Sequence, residues 1–391
     1  MSFFRTVCVF SILLIGPVVH GRTYYVGNNG DDSRGSDSAT NRSTPWRTIQ
    51  RGVNQARGGD RVVVLDGWYR ENVYLGNSGY GGGEIVLEAE NREGARLEGW
   101  ISSNDQSYII VDGFDVTNSS QIPPTKGISF VRCHHITVRD CRVRDCYGGG
   151  IAFDKTDWVL CEWNIVHNNA YFNPGQHSGI SIYQPEYRGN DGRRYGIIIR
   201  NNTSFGNYNF VNNRNFNRPT DGNGIVLDDY LKVQGGGVPY DRPTLVENNL
   251  VFDNGGNGIH CFSSQNVRVR NNTVANNVGN ISFAGEITTV ESRRIYIYNN
   301  IAAPRPGKYA IFGYRSSGDV VFNNLVGGAN LGVQNDGGIY ADPRFVPGTL
   351  TLRGDSRAVN AGYNAGDHYG LDVFGQGRFR GNIDLGAIEY R

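Results

Sequence analysis

The 391-residue chain is 38 % hydrophobic and 19 % charged, a balance that supports a sizeable core and excludes a disordered polyelectrolyte. With 38 Lys and Arg against 37 Asp and Glu, the formal charge is +1, so there is no overall electrostatic case for nucleic acid or an anionic membrane, and an anionic partner needs a local basic patch. Gly numbers 54 and Asn 42 while Pro is only 13, and no Gly-X-Y period runs through the chain; collagen and low-complexity disorder are excluded, and many turns of one kind are required.

At the N-terminus Arg5 precedes an apolar stretch from Val7 to Ile15, with short residues near Gly21. Residues 1–21 are expected to be a signal peptide, which makes the mature protein secreted and extracellular and leaves residues 22–391 as a single domain. The apolar run is shorter than the roughly 18–20 residues that span a bilayer, so no membrane association is expected after cleavage. Removal of Cys8 leaves Cys133, Cys141, Cys146, Cys161 and Cys261, an odd number in which at least one thiol stays free.

Residues 22–66 form the expected N-terminal cap and first coil. "NNGDDSRGSDS" lacks EF-hand spacing and reads as a solvated loop. Thr44 is placed to cap a short helix with Ile49, Val53 and Ala56 at helical spacing, and "RVVVLDGWYR" follows as the first β run.

From residue 105 to 326 the chain repeats itself. "ITVRDCRVRDCYGGGI", "WVLCEWNIVHNN", "IIIRNNTSFGN", "LVENNLVFDNGGNGI", "VRVRNNTVANNVGNI", "IYIYNNIAA" and "VVFNNLVGG" share one frame of alternating β-branched residues, an Asn pair, a second alternation, then Asn and Gly. The hydrophobic period of 2 excludes helical solenoids. The second Asn of each pair falls at Asn164, Asn202, Asn249, Asn272, Asn300 and Asn324, with Cys141 in the earliest slot; five residues on stand Asn169, Asn207, Asn254 and Asn277, headed by Cys146. A stacked Asn amide donates to one neighbour and accepts from the other, so these columns predict internal ladders at the bends of a parallel β-helix. The cysteines are then buried, unreactive thiols.

One strand recurs as "GISFVR", "GIAFDK", "GISIYQ", "GIVLDD", "GIHCFS" and "NISFAG". With the Ile pointing in, two columns face out: Ser129, Ala152, Ser181, Val226, His260, Ser282 and Val131, Asp154, Tyr183, Asp228, Phe262, Ala284. The central coils are also longest, 45 residues from Gly179 to Gly224 against 23 from Gly127 to Gly150, and their extra residues must leave the barrel as loops beside these columns. Asp154, Lys155, Tyr183, Asp228 and His260 are the candidate catalytic cluster. His177, Gln184, Arg218 and Lys232 are candidate substrate-binding residues, and Asp221, Asp228 and Asp229 a candidate Ca²⁺ set.

The opening stretch "TPWRTIQRGVNQARGGD" and the closing segment 340–391, with "LTLRGDSRAVNAGYNAG" and "LDVFGQGRFRGNIDLGAIEY", resemble secreted right-handed parallel β-helix proteins of the polysaccharide lyase, pectate lyase-like, type. The resemblance covers nearly the whole mature chain and implies an all-β right-handed parallel β-helix with an N-terminal capping helix. An acidic polysaccharide is the expected substrate, and the chain is expected to be a monomer. Activity is less constrained, because this scaffold hosts several chemistries. A lyase acting on a uronic acid polymer needs a base for the C5 proton, a cation for the adjacent carboxylate and a proton donor for the leaving oxygen. Lys155 or a deprotonated Tyr183 is the candidate base, Ca²⁺ or Arg218 and Lys232 the cation, and Tyr183 or His260 the donor. Carboxylates on both sides raise the pKa of Tyr183 and favour it as the acid. Calcium-dependent pectate lyases carry a catalytic Lys after an Asn-Gly-Asn-Gly turn, whereas "DGNGIVLDD" has Val226 there, so their mechanism does not transfer.

Three alternatives compete. An inverting glycoside hydrolase would use Asp154 and Asp228, two coils or roughly 9.6 Å apart, near the upper end of the approximate 6.5–9.5 Å range for such pairs. A uronan epimerase, or a non-catalytic carbohydrate-binding protein stacking sugars on its 22 Tyr and on Trp68, Trp100, Trp158 and Trp163, completes the set.

Overall fold

Short β-branched runs broken by bend residues wind into a right-handed coil whose successive turns pair in parallel. A computed structural model describes residues 21–175, 177–281, 285–328, 330–379 and 381–391; the segment expected to be a signal peptide, apart from Gly21, lies outside the described residues. Three parallel sheets of 11, 11 and 9 strands, here A, B and C in the order the chain visits them, enclose the core. One turn runs through Asp157–Glu162 in sheet A, Ile165–His167 in B and Ile180–Tyr183 in C before re-entering A at Ile197–Arg200. Strands also fill residues 67–104, including Gly67–Arg70, Ile85–Ala89, Ala95–Glu98 and Ile101–Asn104, coils that lack the Asn pair and so stand outside the sequence repeat. Among the described residues no helix is long and apolar enough to cross a membrane.

At its corners the chain passes through single left-handed residues. Asn201, Asn248, Asn271, Asn299 and Asn323 (φ 49–58°) turn A into B, Asn168, Asp253 and Asn276 turn B into C, and Arg132, Lys155, Gln184, Asp229 and Ser263 turn C into A. Asn and Asp tolerate this conformation best among residues with a side chain, which accounts for part of the Asn excess.

The predicted ladders are present. Asn164, Asn202, Asn249, Asn272 and Asn300 each donate from Nδ2 to Oδ1 of the next member at 2.9–3.0 Å, ending at Asn324 and then Asn335. Cys141 and Cys146 head the two columns through backbone N–H bonds to Asn164 and Asn169. The five cysteines among the described residues are buried and free, and burial pushes the Cys141 and Cys146 thiols up to about 12, as the reading of inert thiols requires.

The first Asn of each pair has a separate task. Its side chain faces outward and grips the C-terminal segment: Asn201 donates to the Asp372 carbonyl, Asn248 to Leu371, Asn271 to Asp384, Asn299 to Tyr363 and Asn323 to Ala361. The pair is therefore a two-sided fastener, inward for the ladder and outward for the tail.

The second ladder runs Asn169, Asn207, Asn254, Asn277 and ends on Glu286, whose carboxyl accepts from the Asn277 backbone N–H and Nδ2. Burial pushes the Glu286 carboxyl up to about 8. Because the folded form holds this proton more tightly than the unfolded chain, the associated stability is complete below the ordinary carboxylate range and is lost as pH rises through about 8. Glu286→Gln keeps an acceptor without the charge. The melting temperature of the wild type should fall between neutral pH and pH about 9.5 by more than that of the variant; parallel falls would contradict the burial argument.

At the N-terminus the helix Ile49–Gln55 is capped by Thr48, which accepts from Arg51 N–H, and not by Thr44, whose hydroxyl donates to the Ser38 carbonyl. Pro45 and the fully buried Trp46 separate Thr44 from the helix, and the Asp32 carboxylate secures Thr48 and the backbone N–H of Arg47.

Candidate functional site

Sheet C carries the predicted columns in the predicted register from Ile128–Val131 through Ile259–Phe262. Ser129, Ala152, Ser181, Val226 and His260 stand side by side, as do Val131, Asp154, Tyr183, Asp228 and Phe262. The next coil differs. Thr288 and Val290 of the strand Gly285–Val290 hold the places expected for Ser282 and Ala284, which fall outside the described residues. That strand opens Gly-Glu-Ile, so the Gly-Ile signal that marks its neighbours is missing.

The connections between B and C, residues 168–179 and 206–224, rise along one side of this sheet, and those between C and A, residues 184–196 and 229–243, along the other. Between them lies a cleft of about 300 Å³ floored by Val226, Asp228, His260, Phe262, Thr288 and Val290, with Phe216, Arg218 and Asp221 on one wall and Gln234 on the other. Of the predicted residues, Asp228, His260, Asp221 and Arg218 are brought together here.

Asp228 is half-buried, and its Oδ1 accepts from Gln234 Nε2 at 2.9 Å. Burial, then the neighbouring carboxylates of Asp221 and Asp229, push it up to about 7. Burial likewise holds Asp221 at about 6; its Oδ1 accepts from Asn223 Nδ2 at 3.1 Å. One coil on, His260 Nδ1 lies 2.5 Å from Thr288 Oγ1, and burial brings the imidazole down to about 4. Arg218 is exposed at the rim and forms no ion pair with a described residue. Tyr183 stands beside Asp228 in the same column, outside the cleft lining, its hydroxyl pKa raised by burial and then by Asp228, Asp229 and Asp154.

Asp154 lies two coils from Asp228 in the same column and pairs with Lys126 Nζ at 3.0 Å. His177 sits against this pair, lowered to about 4 by burial and then by Lys126. These three form a second polar cluster outside the cleft lining.

The remaining expectations are corrected by the corner geometry. Lys155, Gln184 and Asp229 are the left-handed residues (φ 51°, 47° and 54°) that turn C into A, and their side chains leave the groove. Lys155 Nζ lies 3.6 Å from Glu186 and not beside Asp228 or His260. Gln184 and Lys232 are buried: the Gln184 amide donates to Asp229 at 2.6 Å, and Lys232 Nζ donates to the Gln184 carbonyl at 2.5 Å, so both brace the C–A loop and neither is open to substrate. Both Asp229 oxygens are taken, by Gln184 Nε2 and the backbone N–H groups of Val233 and Gln234. Asp221, Asp228 and Asp229 therefore do not fit a Ca²⁺ set, and among the described residues no three His, Cys, Asp or Glu side chains converge as metal ligands.

Phe216, Gln234, Thr288, Asn223, Asn257 and Lys126 were not anticipated. Lys126 alone had a signal, standing just ahead of its strand as His177 and Asp221 do; the others depend on loop paths or on the slipped coil.

No protein-family model matches the sequence, and no curated protein matches it. Among solved structures the chain is similar to the pectate lyase Pel9A, with 17 % identity, a TM-score of 0.59, and coverage of 96 % of this chain and 98 % of that one. A structure described as a glycoside hydrolase gives 9 % identity and a TM-score of 0.51 over 78 % of this chain and 96 % of that chain. At these identities the likeness concerns the right-handed parallel β-helix alone.

Proposed function

We propose that the protein cleaves a uronic-acid polysaccharide by β-elimination in the cleft over sheet C. One observation carries this reading: on adjacent coils of a single cleft, an imidazole held near 4 and a carboxyl held near 7 face the same space, beneath Arg218, which forms no ion pair with a described residue. Between those two values His260 is a free base while Asp228 keeps its proton, the pair of states an elimination requires. Arg218 pairs with the substrate carboxylate and makes the C5 proton more acidic. Thr288 occupies His260 Nδ1, so Nε2 takes that proton. The C5–H electrons form the C4=C5 bond, the C4–O4 bond breaks, and O4 receives the Asp228 proton. Proton exchange with water restores both groups. Tyr183, kept protonated, donates a hydrogen bond to the adjoining sugar.

The test is incubation with polygalacturonate, alginate and glucuronan, with and without EDTA, following the ultraviolet absorbance of unsaturated uronate ends. Unsaturated ends are expected from at least one polymer, at a rate unchanged by EDTA because the roles fall on residues that do not form a cation set. Their absence from every uronan would sink the reading. The register of Asp154 and Asp228, two coils apart, favours inverting hydrolysis as the second reading; new reducing ends without unsaturation would select it.

A further inference from the structure

The B–C connections that wall the cleft extend beyond it as an aromatic shelf. Tyr208 stacks on Phe210 with ring centroids 5.1 Å apart and planes at 11°, Tyr171 meets Phe210 edge-on at 5.1 Å, and Phe172 follows at 6.2 Å from Tyr171. Phe172 and Phe210 are 64 % and 54 % exposed, so large apolar faces are left open to water side by side.

The shelf is built, and its rings are held in place. Phe210 N–H donates to the Tyr171 carbonyl at 3.0 Å and Tyr208 N–H to Asn169 at 3.2 Å, joining the two connections. Asn209 Nδ2 donates to Gly175, and Asn280 Nδ2 to the Asn209 carbonyl. A Cβ at Gly279 would stand 2.4 Å from the Tyr208 hydroxyl and one at Gly255 2.8 Å from its ring, so bare backbone is what leaves room to seat Tyr208.

Charge specifies the occupant. Residues 207–220 contain Arg214 and Arg218 and no Asp or Glu, and residues 168–179 contain no acid either; of the acids that border the shelf, Asp221 stands on the cleft wall and Asp145, whose charge acts on Tyr171, is paired with Arg144 at 2.9 Å. Arg214, like Arg218, is exposed and forms no ion pair with a described residue. In a chain of net charge +1 this is the local basic patch that an anionic partner needs. It is continuous with the cleft, because Phe216 and Arg218 of the same connection line it.

We propose that Tyr171, Phe172, Phe210 and Arg214 form a separate binding platform for an acidic glycan, holding the polymer beyond the sugars in the cleft. The rings meet the C–H faces of pyranose units, and the Arg214 guanidinium pairs with a uronate carboxylate. This rests on the groove being a polysaccharide site but not on which bond is broken there.

Binding is measured by affinity electrophoresis in polygalacturonate and in a neutral β-glucan, using the full chain carrying His260→Ala so that polymer stays intact. Phe172→Ala/Phe210→Ala is expected to weaken retention by polygalacturonate about tenfold. Arg214→Glu, a surface change that tests charge independently of the rings, should weaken it comparably, with a loss that shrinks as salt is raised. In the active chain the fold-loss in kcat/KM from either change should grow with substrate length. Unchanged retention in both variants would overturn the proposal. So would a shift of the aromatic variant from dimer to monomer without loss of retention, which would make the shelf a self-association face. A chain that cuts uronans while neither variant alters retention keeps the cleavage reading and loses the platform. One that retains uronans through these residues but never cuts them keeps the platform and loses the cleavage reading.

Discussion

Asp228→Asn is expected to lower kcat/KM for uronan cleavage about 10³-fold, the scale of losing a general acid, while leaving the fold intact. Asn preserves the acceptor that Gln234 Nε2 uses but has no proton to give the leaving oxygen. The pH profile carries the sharper information. In the wild type kcat/KM should rise as His260 loses its proton near 4, fall as Asp228 loses its own near 7, and peak between. Stability runs with a definite sign. The Asp228 carboxyl titrates above its ordinary range in the fold, so its contribution is complete below that range and disappears as pH rises through about 7. His260, held below its ordinary value, opposes this in the acid part of the window and is neutral above it. Above pH about 8 the uncharged Asn removes a penalty of up to a few kcal/mol, so the variant should melt higher than the wild type there. A variant that is inactive and also less stable at that pH would mean that Asp228 is structural. One that retains cleavage would remove it from the reaction.

The register of the β-helix was legible because the Asn pairs, the inward Ile and the period of two all constrain the same alignment. An error of one residue would have exposed Ile180 and Ile225, which are fully buried. That register placed Asp154, Tyr183 and Asp228 in one column and His260 in the next. It failed at "NISFAG", where alternation and an upstream Gly-Asn imitate the repeat, while the true strand begins at Gly285. Corner conformation was the larger loss. Lys155, Gln184 and Asp229 directly follow outward residues, and nothing in strand periodicity indicates that a left-handed corner turns their side chains away from the groove. Loop paths were beyond reach for the same reason: Gln234 and Phe216 line the cleft around Asp228 from opposite connections, and no repeat relates them.

The Asn pairs allow the inner and outer fasteners to be separated. Asn249→Ala should cost about 3–5 kcal/mol, among the largest effects of a single truncation here. Asn249 Oδ1 accepts from both the backbone N–H and the Nδ2 of Asn202, and its own Nδ2 donates to the Ile199 and Glu247 carbonyls and to Asn272. All of these groups are shielded from water, and a methyl group in place of the amide leaves several without partners. Each orphan costs roughly 1–3 kcal/mol, so even partial relaxation of the neighbouring coils leaves a large loss. Asn201→Gly removes an outer fastener without backbone strain, because Gly accepts the φ of 56° and, among the described residues, the side-chain bond lost is that to the Asp372 carbonyl. Its effect should be local: faster proteolysis within residues 360–391 and loss of amide protection there, with a global denaturation midpoint close to that of the wild type. If Asn201→Gly lowered the midpoint as far as Asn249→Ala, tail and coil would unfold as one unit, and the division of labour within each pair would fail.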